Sequence, residues 1–187
     1  MTFRTPKLAI DDFRDRMAEV LACISTMPLI AHPDGQDQSS LYFPGRDRFV
    51  PLSGGVEPLK LSVLHNVRHI QDDDDQWRVS TIHYAYDIQR ERVDVSVPKV
   101  VAEFHFHPEP PPTATDEEIA NWVRYSHLHV ETKLDVVARK HHIPSGRVSL
   151  ESVIRFLITQ FEVTALRDDW EPTLVSMEES FVSSWQY

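Results

Sequence analysis

The sequence predicts an α+β fold: an antiparallel β-meander sheet with one face packed by N- and C-terminal helices and a histidine-rich opposite face. Three observations lead there. Apolar residues recur at helical spacing near both ends of the chain, alternating extended runs fill its middle, and two of those runs carry histidine at every second position. With 187 residues and 41% hydrophobic content the chain suits one core, so residues 1–187 are expected to form a single domain.

The first helix is expected over 10–27, where Ile10, Phe13, Met17, Val20, Leu21 and Ile24 form an apolar stripe and Asp11 and Asp12 stand at its amino-terminal end. From His32 to Pro58 the pattern breaks at Asp34-Gly35, Pro44-Gly45 and Gly54-Gly55, which predicts a long connection with short strands at most. Extended runs over 60–70, 77–88, 92–107 and 126–132 then make the sheet, placed at 60–131. Pro98 interrupts the third run, and the acidic stretch Asp72 to Asp75 reads as a solvated hairpin tip. Pro108 to Pro112 is a stiff loop. Thr115-Asp116-Glu117-Glu118 has the form of a capping box opening a short helix through Ile119, Trp122 and Val123. Ser149 caps a helix over 149–162 with a stripe of Leu150, Val153, Ile154, Leu157, Ile158 and Phe161. A last helix from Pro172 to Trp185 completes the carboxy-terminal helical region, 149–185.

Composition narrows the function. The amino terminus has too short an apolar run for a signal peptide, no run reaches membrane-spanning length, and the lone Cys23 cannot form an internal disulfide, so the expected location is the cytoplasm. A formal charge of −10 works against general nucleic-acid affinity, which needs a basic footprint; any such footprint must be local.

Side chains alternate across a strand, so Phe104 and Phe106 face one way while Glu103, His105 and His107 face the other. In the next run Leu128 and Val130 face the core while His127, His129 and Glu131 face away. The patterns Glu-x-His-x-His and His-x-His-x-Glu mirror each other, and antiparallel pairing brings them to one patch, to which His83 and Asp87 can add. His105, His107, His127 and His129 are the candidate catalytic residues, since imidazoles give and take protons near neutral pH. Glu103, His105, His107 and His129 are the candidate ligands of a divalent metal, zinc or manganese. Lys140 and Arg147 are candidate substrate-binding cations for phosphate, from a locally basic stretch that includes Lys133 and Arg139. The competing reading is a histidine-rich structural face with ordinary surface charge beside it.

The order Ile82-His83-Tyr84-Ala85-Tyr86-Asp87, Phe104-His105-Phe106-His107-Pro108, His127-Leu128-His129 and Ser149-Leu150-Glu151-Ser152-Val153 resembles the TumE-like toxin family of bacterial toxin-antitoxin modules, over less than half the chain. That resemblance implies a small cytosolic protein with a cognate antitoxin partner and an RNA-directed activity, and carries over His105, His107, His127 and His129. His105-Phe106-His107-Pro108, with Thr115 and Glu118 beyond, also resembles the JAB metalloprotease signature, with Thr115 in place of its serine and Glu118 in place of its aspartate. Three functions are therefore expected to compete: a phosphodiesterase or ribonuclease, metal-assisted or not; a zinc-dependent hydrolase; and a non-catalytic binding or regulatory protein.

Overall fold

Thr5 and Pro6 begin the first helix, α1 (Pro6–Leu21), a turn earlier than the apolar stripe suggests. The Thr5 side chain accepts a hydrogen bond from the Leu8 N–H at 3.2 Å, and proline suits a first helical turn because it has no N–H to leave unpaired. Asp11 and Asp12 thus lie inside the helix, paired with Lys7 and Arg14 and with Arg16. The helix ends at Leu21, so Cys23 and Ile24 are buried by a turn beyond it instead of by helical continuation to 27.

The computed structural model describes residues 2–90, 99–106, 115, 127–130 and 141–183, with backbone alone at 99–100, 129–130, 141–144 and 180–183. The helix expected after Thr115 and the Pro108 to Pro112 loop lie outside the described residues. Among the described residues eight strands form one antiparallel sheet: β1 (Ile30–Pro33), β2 (Gln38–Tyr42), β3 (Phe49–Pro51), β4 (Leu59–Gln71), β5 (Trp77–Arg90), β6 (Lys99–Phe106), β7 (His127–Val130) and β8 (His141–Pro144). Their order is β1-β2-β4-β5-β6-β7-β8, with β3 also paired to β4. From β4 onward the sheet is a meander; the short strands of the early connection extend it past β4. Asp72 to Asp75 form the β4–β5 turn, where the Asp72 carboxylate accepts from the backbone N–H groups of Asp74 and Gln76 at 3.1 and 2.8 Å. That local pairing explains the acidic stretch as turn chemistry.

Two bulges set the phase of the long strands. Asn66 pairs with His83 but Val67 pairs with Thr81, which leaves Ile82 as an extra residue in β5. Beyond it Thr81 serves the same face as Tyr84 and Tyr86, and its hydroxyl lies 2.8 Å from His65 Nε2. In β6 the extra residue is Val101, since Ile88 pairs with Ala102 and Gln89 with Val100.

Helices α1, α2 (Leu150–Gln160) and α3 (Trp170–Ser183) gather on the face that carries Val63, His65, Val67, Tyr84, Tyr86, Ile88 and Phe106. Tyr84 and Tyr86 stack at 4.8 Å, the Tyr84 hydroxyl accepts from the Val148 N–H at 2.7 Å, and Phe104 meets Phe156 of α2 edge-on at 6.2 Å. His65 is fully buried, with Nδ1 3.1 Å from the Tyr86 hydroxyl; burial pushes its pKa down to about 3. Ser149 caps α2 by accepting from the Ser152 N–H at 3.0 Å. Glu178 of α3 closes the seam, accepting from Ser149 and Ser152 at 2.8 and 2.7 Å and pairing with Arg155 at 3.2 Å.

Glu151 is the exception in this core. It is 6% exposed and borders a cavity of about 30 Å³ among Phe13, Met17, His65, Tyr86, Leu150 and Met177. Burial pushes its carboxyl up to about 7, and the nearby Glu178 adds to the rise.

Two outcomes follow. Leu157 is fully buried in α2, so Leu157→Ala is expected to cost about 2–5 kcal/mol, while Glu162→Ala at an exposed position costs far less; similar urea midpoints for the two would contradict the packing. Glu151 holds its proton more tightly in the folded chain than in the unfolded one, where the ordinary value is 4.5. Its contribution is therefore present below pH 4.5 and lost as pH rises through about 7. Relative to wild type, Glu151→Gln is expected to gain up to about 3 kcal/mol at pH 8 and little at pH 5; urea melts at the two values measure it, and a pH-independent difference would count against it.

Candidate functional site

The strand phase that sends Tyr84, Tyr86 and Phe106 to the helices sends His83, Ala85 and Asp87 of β5, and Glu103 and His105 of β6, to the opposite face. Pairing of β6 with β7 sets His105 opposite His127 and Glu103 opposite His129. Phe104 and Leu128 pack against the core, as the alternation requires.

Among the described residues, Asp87, Glu103 and His105 bring one potential ligand atom each within 4.8 Å of one another. His105 Nε2 lies 3.3 Å from Asp87 Oδ1 and 3.8 Å from Glu103 Oε2. Neighbouring ligand atoms around a zinc or manganese ion stand roughly 3.0–3.4 Å apart when metal–ligand bonds are about 2.1 Å. The cluster therefore needs only small side-chain adjustments to close on an ion. The His127 ring lies 5.8 Å from that of His105 at an angle of 41°. His83 completes the group on β5; burial, with the neighbouring His105 adding to it, pushes its pKa down to about 4, against the pull of Asp87. It is neutral at pH 7.

The face is turned from the helices, but it is not open. Glu103 is 6% and His127 1% exposed, whereas the side chains of His105 and Asp87 retain 20% and 28%. His127 points away from the helices and is nevertheless buried, so turning from one layer of a sheet does not mean reaching solvent. A buried carboxylate and imidazoles in contact are costly unless paired or coordinated, so the arrangement is a polar one that must be satisfied internally or by an ion.

Of the candidate residues, Glu103, His105 and His127 come together, and Asp87, which the sequence offered only as an addition, supplies a partner of His105 at 3.3 Å. The backbone of His129 stands opposite Glu103. His107, Lys140 and Glu118 lie outside the described residues, and Thr115 is exposed. The Arg147 guanidinium lies over the Phe106 ring at 4.3 Å, on the residue that faces the helices and not on the face of His105. His65 is a buried histidine that sequence reasoning passed over; its place between Val63 and Val67 in an apolar alternation already marks it as a core residue.

Comparison with protein-family models, with curated proteins and with solved structures finds no match. Among the described residues no helix is long and apolar enough to cross a membrane.

Burial separates the roles of the cluster's members in folding. His127→Ala is expected to destabilise by about 1–3 kcal/mol, because it removes a buried ring that contacts His105 and leaves polar neighbours without it. Asp87→Asn, at the more exposed rim, is expected to stay within about 0.5 kcal/mol of wild type. Chemical denaturation at neutral pH compares them, and an equal loss would mean that the rim is as structural as the centre.

Proposed function

We propose that the chain is a divalent-metal-dependent hydrolase whose ion is held by Asp87, Glu103 and His105. The observation that carries this reading is the closeness of three ligand atoms of mixed type, two carboxylate oxygens and one imidazole nitrogen, contributed by adjacent strands. A mixed oxygen and nitrogen set suits zinc, manganese or ferrous iron. Three protein ligands leave coordination positions for water and for a substrate oxygen. A divalent ion held by Asp87, Glu103 and His105 would supply Lewis-acid activation of water and of a substrate oxygen. Partial exposure of His105 and Asp87 leaves the ligands accessible at one side, while buried Glu103 anchors the other.

The phosphodiester bond of RNA is the substrate to which the TumE-like resemblance points, with an antitoxin as the protein partner. Arg147 stacks on the Phe106 side of β6, so on this reading the ion, and not that arginine, neutralises phosphate charge. The net acidic chain is compatible with RNA only through such a local positive centre.

Protein purified without chelator and without a histidine tag is expected to contain zinc or manganese and to hydrolyse a chromogenic phosphodiester or a single-stranded RNA. Chelation removes both properties and added metal restores them. Asp87→Asn and His105→Ala are expected to lose metal and at least 100-fold in rate, while melting close to chelator-stripped wild type. Failure to take up either ion in a direct titration, or hydrolysis indifferent to chelator, would sink the proposal.

A further inference from the structure

Glu151 stands in the first turn of α2, on the other side of the sheet from Asp87, Glu103 and His105. Its Oε2 is buried and has no hydrogen-bond partner among the described residues. That is costly for a polar atom, and far more so once the carboxyl carries charge. The cavity that Glu151 borders measures about 30 Å³. One water needs about 10–15 Å³ of such space, so the cavity has room for one end of a guanidinium.

The elements packed around the cavity differ in what they offer this carboxyl. From β4 and β5 come His65 and Tyr86, already joined to each other at 3.1 Å, and burial keeps the imidazole neutral. From α3 comes Glu178, an acid that strengthens the hold of Glu151 on its proton. On α2 itself the Arg155 guanidinium and the Ser149 hydroxyl are engaged with Glu178, at 3.2 and 2.8 Å. From α1 comes Arg16, whose side chain lines the cavity beside Phe13. Its Nε lies 3.0 Å from Asp12 Oδ2, yet both atoms are buried and the pair is not aligned as a hydrogen bond. A guanidinium keeps its charge at any pH that the fold meets, so Arg16 has two acids within its compass. Asp12 is partly exposed and lies one turn back in the same helix, where an ion pair contributes little. Glu151 is buried, and once ionised it is the acid whose lack of a partner costs more.

We propose that Arg16 and Glu151 form a proton-gated clasp between α1 and α2, in which the guanidinium stays beside Asp12 while the carboxyl is protonated and turns into the cavity to pair with it once it ionises. The proton passes to solvent, and a contact within α1 is exchanged for one between two helices. Burial raises the carboxyl to about 7, with Glu178 adding to the rise, so the clasp closes as pH climbs toward neutrality. The exchange offsets part of what the ionised carboxyl costs the fold, and it makes the seating of α1 respond to pH.

The test is a nuclear magnetic resonance titration of the full chain from about pH 5 to 9, following the Glu151 carboxyl carbon and the Arg16 Nε–H group, each assigned by its loss in Glu151→Gln or Arg16→Gln. In wild type the two signals are expected to move together, with a common midpoint at or below about 7. In Glu151→Gln the Arg16 signal is expected to stay fixed over the same range. In Arg16→Gln the Glu151 midpoint is expected to rise by at least about one pH unit, a tenfold change in proton affinity. Asp12→Asn, which removes the competing acid, is expected to lower that midpoint, and it decides in place of Arg16→Gln should the latter fold poorly by circular dichroism. An Arg16 signal that stays fixed while Glu151 titrates in wild type would overturn the clasp. So would a smaller rise in folded Arg16→Gln, or a midpoint that does not fall in Asp12→Asn.

Discussion

A β-strand must send successive side chains to opposite faces, and in β5 and β6 that one constraint decides where both the core and the polar cluster lie. Tyr84, Tyr86 and Phe106 go to the helices because His83, Ala85, Asp87 and His105 do not. The cluster is therefore held from behind. Phe104, between Glu103 and His105 in the chain, is seated against Phe156 of α2, so the backbone that presents these two polar side chains is clamped by core packing. Sites supported in this way lose little conformational freedom when they bind, which preserves affinity.

The core itself is unusual in carrying ionisable groups under the helices. His65 satisfies both ring nitrogens with Tyr86 and Thr81, and burial keeps it neutral. Glu151 sits within the same cavity wall, and burial keeps its proton on at mildly acidic pH. The two respond to acid in opposite senses, since the imidazole resists gaining a proton and the carboxyl resists losing one. Their opposed contributions offset each other between 4.5 and 6.5, the ordinary carboxyl and imidazole values, so the packing of α1 and α2 on the sheet is matched to mildly acidic pH.

Much of this architecture could be read from residue patterns. The alternation through 103–107 and 127–131 correctly separates Phe104, Phe106 and Leu128 from Glu103, His105 and His127, and the stripe after Ser149 marks α2. What escaped has identifiable physical reasons. Strand β8 is four residues of His141-His142-Ile143-Pro144 with no apolar alternation, and it exists because β7 offers it an edge. The start of α1 is set by the Thr5 cap and Pro6, not by the first apolar residue. The burial of Glu151 depends on α1 and α3 meeting over α2, a tertiary fact that periodicity along one helix does not contain. The inward place of Thr81 depends on the extra residue Ile82, and a bulge leaves no compositional mark here.

That dependence on phase bears on which changes of length the chain can tolerate. At Val101 β6 already carries one residue more than β5, and at Ile82 β5 carries one more than β4. Both irregularities sit outside the stretch from Ala102 to Phe106, which pairs residue for residue with β5. An insertion or deletion beside Val101 would lengthen or erase an existing bulge and leave the cluster facing as it does. The same single-residue change between Glu103 and His105 would put one of these two polar residues on the helix face and a phenylalanine on the other, disturbing the core and the cluster together. Diversification of this strand is thus confined to substitution, while its drift in length is channelled to the bulge.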